Sequence, residues 1–585
     1  MVNSFLTKMR LLVLYGSQTG TAQDVAEKIW RQSKSYSFTG PFMSMDDYAI
    51  ENLIQEQLVI FVASTTGQGE EPDNMKHFWK FLLRKSLPAN SLQTLKFACV
   101  GLGDSSYSKY NFAAKKLNKR LLQLSASPII PLGLCDDQHD HGMAATLLPW
   151  IQDLWSQLKQ IYPHLKENSS SEFCYKWNVW KTTNSIPSSL THLKWPLKEN
   201  PYSFEVMENV RTTSKDHFQD VRLIKLKYSS KNLTWNPGDI IQVRPCNSDE
   251  KVNELFDILD EHNLGFDRNT LVEFKENHED LPLPLPYQHP VTLGLLAKYV
   301  WDLSCVPRQS AFGLLALNCK DELEKEKLEE FTTSEGLEEL IAYANRPRRS
   351  ILEILYDFRH ATAALTLPIL FELFQIIQPR SFSIASVPEA GTLDLLVAVV
   401  EYKTKLSTPR RGLCSNWLKH LAIGDEILGT IKQGTLVFPK DPSTPMIMVG
   451  PGTGIAPFLS FIAMRENSAQ INTDAKSIVF FGCRNKEKDY FCREYFERFE
   501  AKGVAKCFTA FSRDQENKVY VQHLIKDNSS LLKDLILNKT AVVMVAGSSN
   551  NMPKSVKEAF TELLDDELYI EKMIKTNRYQ EETWS

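Results

Sequence analysis

The chain lacks any apolar run approaching the roughly 20 residues that a membrane-spanning helix needs, and Met1 to Arg10 contains no hydrophobic core of a secretory signal. Its ten cysteines include no CxxC pair and no zinc-ligand spacing. Reduced, separate thiols in a cytoplasmic protein are therefore expected, with neither a disulfide framework nor a metal site. His139 and His141 stand among acids but only two positions apart, which directs them away from each other on a helix, so they too suggest no metal. A formal net charge of −4 provides no basic excess for nucleic acid. There is no Ser/His/Asp set, no paired-carboxylate constellation, and no repeat of solenoid period. The internal Lys320-Asp321-Glu322-Leu323 string sits in a charged helical pattern and is no retention signal. What remains is a chain of 585 residues, 43% hydrophobic and 24% charged, too long for one core and ordinary for two to four soluble domains.

Within that ordinary composition, three loops stand out. The apolar run Leu11 to Tyr15 predicts a buried strand, and it runs directly into Gly16-Ser17-Gln18-Thr19-Gly20-Thr21-Ala22, a glycine- and hydroxyl-rich turn opening a helix. Hydroxyls, backbone N–H groups and the positive helix end converge there, as a phosphate requires. The turn has no P-loop lysine and no dinucleotide glycine spacing, so a terminal monophosphate suits it. A second buried strand, Leu58 to Ala63, leads into Ser64-Thr65-Thr66-Gly67, with Glu70, Glu71 and Asp73 beyond. A third, Phe97 to Val100, ends in Gly101-Leu102-Gly103-Asp104-Ser105-Ser106-Tyr107-Ser108-Lys109-Tyr110-Asn111-Phe112. In a doubly wound sheet such loops line one crevice at the carboxyl ends of the strands. Together they suit a flavin: the first loop for its phosphate, the second passing beside the ring, and Tyr107, Tyr110 and Phe112 covering it.

Residues from about 9 to 160 resemble a flavodoxin-type FMN domain, and the later motifs resemble the diflavin reductases. That family includes the microsomal cytochrome reductase, the sulfite reductase flavoprotein, methionine synthase reductase and the reductase half of nitric oxide synthase. The likeness covers nearly the whole chain apart from a linker. In Gly101 to Ser106, Asp136-Asp137-Gln138-His139 and Arg410-Arg411-Gly412-Leu413-Cys414-Ser415 it is strongest to the NADPH-dependent branch of cytosolic iron–sulfur protein assembly. The resemblance implies an α/β multidomain fold: a flavodoxin-like FMN domain over 1–165, a linker over 166–200, a β-barrel FAD domain over 201–440 with a helical connecting insertion at about 250–377, and a doubly wound α/β NADPH domain over 441–585. The linker is rich in Ser, Asn and Lys, but Trp177, Trp180 and Trp195 are unusual for free coil, so part of it is expected to pack on a domain. By resemblance, the loop residues from Ser17 to Ala22, Ser64 to Gly67 and Leu102 to Asn111, together with Asp137, would contact FMN.

Arg380-Ser381-Phe382-Ser383 resembles the family's RxYS motif, with Phe382 where Tyr is usual, so one hydroxyl contact is missing. Arg380 would neutralise the FAD pyrophosphate, Ser383 would lie near the flavin N5, and Gly412, Leu413, Cys414 and Ser415 would meet the second phosphate at a helix start. Arg348 would add a further FAD contact. The strand Met446 to Val449 precedes Gly450-Pro451-Gly452-Thr453-Gly454-Ile455-Ala456-Pro457, whose glycines let the nicotinamide half and its phosphates approach the backbone. Ser512, Arg513, Lys518 and Tyr520 offer two cations and two hydroxyls to a 2′-phosphate, which argues for NADPH over NADH. Val519, Val521 and Gln522 belong to the same resembling segment. Several relatives carry a cysteine before the glycine of Gly547-Ser548, where this chain has Ala546, and Cys483 is expected on a neighbouring strand end. Trp584 resembles the terminal aromatic that stacks on FAD, and Glu582 its acidic neighbour. The implied activity passes electrons from NADPH to FAD to FMN and on to a protein acceptor, which the nearest resemblance suggests is an iron–sulfur protein such as anamorsin. Another cytosolic acceptor, such as methionine synthase or a cytochrome, and a non-catalytic scaffold are the alternatives.

Overall fold

The computed structural model describes residues 9–67, 69–107, 109–165, 173–184, 201–230, 232–278, 281–467 and 477–584. Ser108 and most of the stretch read as linker, including Trp195, lie outside the described residues. The chain divides into two compact units: Met1–Pro196 with Asn247–Gln378, and Leu197–Cys246 with Pro379–Ser585.

The first unit begins with a parallel sheet. Its strands are β1 (Leu12–Gly16), β2 (Phe42–Ser44), β3 (Leu58–Ser64), β4 (Lys96–Gly103), β5 (Ser127–Pro128) and β6 (Gly133–Asp136). They run in the order β2-β1-β3-β4-β5, with β6 also on β4. The apolar runs are continuous because both sheet faces are covered. Successive side chains alternate between two cores: Leu11, Val13, Ile60 and Val62 enter one, and Leu12, Leu14, Val59 and Phe61 the other. Helices α1 (Thr21–Ser35), α2 (Lys76–Leu82), α3 (Phe112–Gln123) and α4 (Ala144–Ile161) cover the faces, leaving the strands' carboxyl ends open at the three loops.

The stretch read as linker contains β7 (Trp177–Lys181), where Trp177 packs on an apolar cluster. The chain then supplies β8 (Tyr202–Arg211), β9 (Val221–Tyr228) and β10 (Ile240–Val243) to the second unit. It returns to the first unit for β11 (Leu271–Glu276), β12 (Val291–Thr292) and the helical insertion. Strands β12, β11 and β7 form a small antiparallel sheet. The insertion's helices enclose Trp301, Phe312, Phe331 and Phe371. The charged helical pattern after Lys320 forms the helix Glu322–Glu330, whose Leu328 is fully buried.

The insertion is fastened to α1 by four charges. Arg31 pairs with Glu27 and Glu372 at 2.6 Å each, and Lys176 reaches Glu27 and Glu372 at 3.0 Å each. The Glu372 side chain is only 2% exposed, and its Oε1 also accepts the Lys176 N–H at 2.6 Å. Burial opposes ionisation of Glu27, yet Lys176 and Arg31 outweigh it and hold the carboxyl down at about 2. Nearby, Leu281 joins the core beneath α1, and the rings of His278 and Trp30 meet edge-on at 5.0 Å.

The second unit holds two larger sheets. Strands β8 to β10 combine with β13 (Arg380–Ser383), β14 (Thr392–Ala398) and β17 (Glu426–Lys432) in the antiparallel order β13-β10-β17-β8-β9-β14, and β15 (Glu401–Tyr402) pairs with β16 (Arg410–Arg411) beside them. Among the described residues the expected barrel is thus not closed by a continuous ladder. Its two ends meet at the single bridge Ile384↔Leu395, supported by the Ala385 N–H donating to the Asp394 carbonyl at 2.8 Å. Residues after Ser383 leave the strand for the following turn, which ends the ladder. The last sheet is wholly parallel, with β18 (Met446–Val449), β19 (Ser477–Cys483), β20 (Ala505–Phe511), β21 (Val542–Ser548) and β22 (Tyr579–Trp584) in the order β20-β19-β18-β21-β22. Met446 and Met448 enter the core on one face, Ile447 and Val449 that on the other.

Candidate functional site

In the first unit the three loops are tied to one another by side chains. The Ser17 N–H donates to Asn74 Oδ1 at 2.8 Å. Gln18 exchanges two bonds with Asp73, its amide donating at 3.1 Å and its carbonyl accepting the Asp73 N–H at 3.0 Å. The Gly20 N–H donates to Ser17 Oγ at 3.0 Å, while α1 itself begins without a side-chain cap. Gly20 has φ of 94°, the left-handed region open to glycine, and this turns the chain into α1 with the first N–H groups facing outward from the turn. Thr19 is exposed at the tip. These features fit the phosphate of FMN.

The second loop is closed on itself by the Thr66 N–H donating to the Glu70 carbonyl at 3.0 Å. Lys109 packs over Gly69, leaving no room for a Cβ there, so the second and third loops are held together. In the third loop, the Tyr110 hydroxyl donates to the Leu134 carbonyl at 2.8 Å, and the Ser105 N–H to Asp136 Oδ1 at 2.9 Å. Burial works against the Asp136 charge, but the Ser105 and Gln138 donors hold its carboxyl below the usual range. Asp137 behaves oppositely: burial and then Asp104 push it up, with Arg348 pulling against them. Arg348, read as an FAD contact, thus lies in the first unit with its charge acting on Asp137.

Asn111 differs from its reading as a flavin contact. It is fully buried, its amide donates to the Cys135 carbonyl at 2.9 Å, and its Oδ1 lies 2.8 Å from where a Cβ on either Gly101 or Gly103 would stand. Burial leaves it to brace the loop from behind. Leu102 is likewise a core side chain, 3% exposed.

In the second unit Arg380 to Ser383 form the edge strand β13, in register with Val243 to Ile240. The motif's arginine comes close to the second candidate phosphate turn: burial lifts the Cys414 thiol to about 12, and the Arg380 charge pulls against that rise. Cys414 and Ser415 are buried, and Ser415 Oγ accepts the Val400 N–H at 3.0 Å. The Gly412 N–H donates to the Val400 carbonyl at 2.9 Å, so the donors left for a phosphate are the first-turn backbone N–H groups of the helix Leu413–Lys419, at Leu413, Cys414 and Ser415. An exposed arginine beside a helix start fits the FAD pyrophosphate.

The nucleotide loop after β18 is drawn tight where it needs to be. A Cβ on Gly454 would meet the Ala546 carbonyl at 2.1 Å, whereas one on Gly452 would meet nothing within 4 Å. Close packing on one side and open space on the other fit a nucleotide lying along Gly452 and Thr453. At the end of β20, Arg513 hydrogen-bonds Tyr520, and with Lys518 and Arg484 it holds the phenol below its ordinary value. The Arg513 N–H donates to the Arg484 carbonyl at 2.8 Å. Arg484 is therefore a third cation of the cluster that spacing alone did not mark. Val521 is 3% exposed in the core, so its side chain supports the segment, while Tyr520 stands at the surface.

Cys483 does not stand beside Ala546. Their strands, β19 and β21, flank β18 on opposite sides, and burial, then Asp489 and Asp514, push the Cys483 thiol well up. Glu582 is in register with Ala546, and its Oε1 accepts a bond from Thr435 Oγ at 3.1 Å. Trp584 is in register with Ser548, its carbonyl accepts the Ser549 N–H at 2.8 Å, and its side chain is 38% exposed. If the indole screens the flavin from the nicotinamide, Trp584→Ala will raise NADH-driven turnover more than NADPH-driven turnover. Stopped-flow reduction with both nucleotides measures this, and an unchanged preference would make Trp584 a packing residue.

Three family models match the chain in sequence: flavodoxin over residues 13–150, the FAD binding domain over 196–417, and the oxidoreductase NAD-binding domain over 448–558. Proteins named NADPH-dependent diflavin oxidoreductase 1 are similar over nearly the full length. The one from Danio rerio is 44% identical, across 98% of this chain and 99% of its own. That from Xenopus laevis is 42% identical across 99% and 100%, and that from Schizosaccharomyces pombe 34% across 98% and 99%. Flavodoxin-like, FAD-binding and nucleotide-binding parts in this order, matched end to end by such relatives, show that the chain belongs to the NADPH-dependent diflavin oxidoreductases, enzymes that use FMN, FAD and NADPH.

Proposed function

We propose that this diflavin oxidoreductase delivers its electrons to an iron–sulfur protein resembling anamorsin, in the cytoplasmic assembly of iron–sulfur clusters. The bound flavins supply the redox chemistry, accepting an electron pair from NADPH and releasing electrons singly. The chain's residues bind and orient them: the Ser17 to Ala22 turn and the two following loops at FMN, Arg380 and the Gly412 turn at FAD, and the Arg513 cluster at the 2′-phosphate of NADPH. The observation that supports a protein acceptor is the acidic rim of the flavodoxin-like sheet. Asp104 follows β4, Asp136 ends β6, and Asp137 and Asp140 follow it in exposed positions. An acidic cluster of this kind steers a basic patch toward the edge where electrons leave.

The test is NADPH-driven reduction of a purified anamorsin, with methionine synthase and cytochrome c as competing acceptors. Anamorsin should be reduced fastest at low ionic strength. Asp140→Lys should slow that reduction several-fold in low salt and little in high salt, with flavin content unchanged. Faster reduction of another acceptor under equal conditions would overturn the assignment.

A further inference from the structure

The phosphate turn of the flavodoxin-like sheet contains no cation of its own, and Asp24 in the first turn of α1 adds a negative charge beside it. The helix end and neutral donors favour a dianionic phosphate there, and a positive group standing close would offset the opposing charge of Asp24. That group comes from far along the chain. The insertion's helix Gln309–Ala316 starts directly after Arg308 and lies against α1, where Gln309 Oε1 accepts from Lys28 Nζ and Ser310 Oγ donates to Asp24 Oδ1, both at 3.2 Å. Arg308 Nη1 stands 3.3 Å from Asp24 Oδ1. Its other terminal nitrogen, Nη2, lies 2.9 Å from the position a Cβ on Gly20 would take, directly over the turn. The side chain is 23% exposed, half sheltered between the two elements.

From this juxtaposition we infer that Arg308 of the helical insertion is a ligand of the FMN phosphate, completing a site whose other donors all come from the flavodoxin-like sheet. One edge of the guanidinium pairs with Asp24, and the planar fork leaves the other edge for a phosphate oxygen. FMN binding and seating of the insertion on α1 are then linked. Whatever factor docking adds to FMN affinity, bound FMN returns to docking.

The inference rests on the phosphate occupying the Ser17 to Ala22 turn, and the experiment separates the two. Full-length protein is depleted of FMN with a chaotropic salt and titrated with FMN or with riboflavin, which lacks the phosphate, following flavin fluorescence. Arg308→Ala should weaken FMN roughly 10- to 150-fold, leave riboflavin and FAD content unchanged, and reduce the salt dependence of FMN binding. Arg308→Lys should recover part of the loss. Equal weakening of FMN and riboflavin, or unchanged FMN affinity, would overturn the role of Arg308. Thr19→Asp, measured alongside, reports on the turn itself: if it left FMN affinity intact, the location of the phosphate would be wrong instead.

Discussion

Thr19→Asp should yield a protein that retains FAD and has lost FMN. Thr19 is exposed at the tip of the turn between β1 and α1, so the change removes no core contact. It does place a carboxylate where the uncapped start of α1 and the Ser17 and Thr21 hydroxyls would gather a phosphate. Like charges forced together cost several kcal/mol, so a loss of FMN affinity on the order of 100-fold or more is expected. Purified wild-type protein should release FMN and FAD in about equal amounts, and the variant FAD alone. NADPH should still reduce ferricyanide through the variant, because Arg380 to Ser383, the Gly412 turn and the nucleotide residues lie in the second unit. A variant that kept both flavins at parity would show that the phosphate lies elsewhere.

Arg513→Ala should change nucleotide choice by a comparable amount. Arg513 is the member of its cluster that hydrogen-bonds Tyr520, with Lys518 and Arg484 close by. Losing a charge-assisted contact to the 2′-phosphate costs about 1.5–3 kcal/mol, equivalent to a roughly 10- to 150-fold weaker NADPH complex. NADH has no 2′-phosphate and should bind almost as before. Binding of both nucleotides to the full-length variant gives the ratio directly. Equal losses would mean that Arg513 supports the end of β20 rather than the nucleotide.

The parts of the sites formed by continuous segments were legible because strand, turn and helix follow one another in sequence. Leu11 to Ala22 can be read as a strand, a phosphate turn and a helix without knowing any neighbour. Arg308 could not be read this way, because nearly 290 residues separate it from Gly20 and only the packing of the insertion on α1 unites them. Arg484 was hidden for a similar reason, since parallel strands β19 and β20 bring its backbone to Arg513. Asn111 and Val521 lie inside segments that carry ligand-facing residues, but they stand at the starts of helices Phe112–Gln123 and Val521–Asp527 and pack inward there, which a motif does not distinguish. The β7 strand was obscured by polar neighbours, although its tryptophans signalled packing. The incomplete closure between β13 and β14 depends on where each strand leaves the ladder, a property of backbone curvature rather than of side-chain type.

The division of the chain between two units also sets a timetable for its synthesis. Strand β10 is made before the insertion, but both of its neighbours, β13 and β17, are made after it. On the order of 130 residues intervene, so at ~5–20 residues per second β10 emerges roughly 7–26 s before a partner exists. During that interval Ile241 and Val243, fully buried in the finished protein, are exposed on an unpaired edge. The first unit, by contrast, has all its residues once Gln378 is made and can close while the second is still incomplete. Substitutions that slow the seating of the insertion therefore prolong the life of a sticky strand in the other unit. Their damage should appear as lower yield and greater chaperone demand during expression, even where the finished enzyme is as stable as the parent.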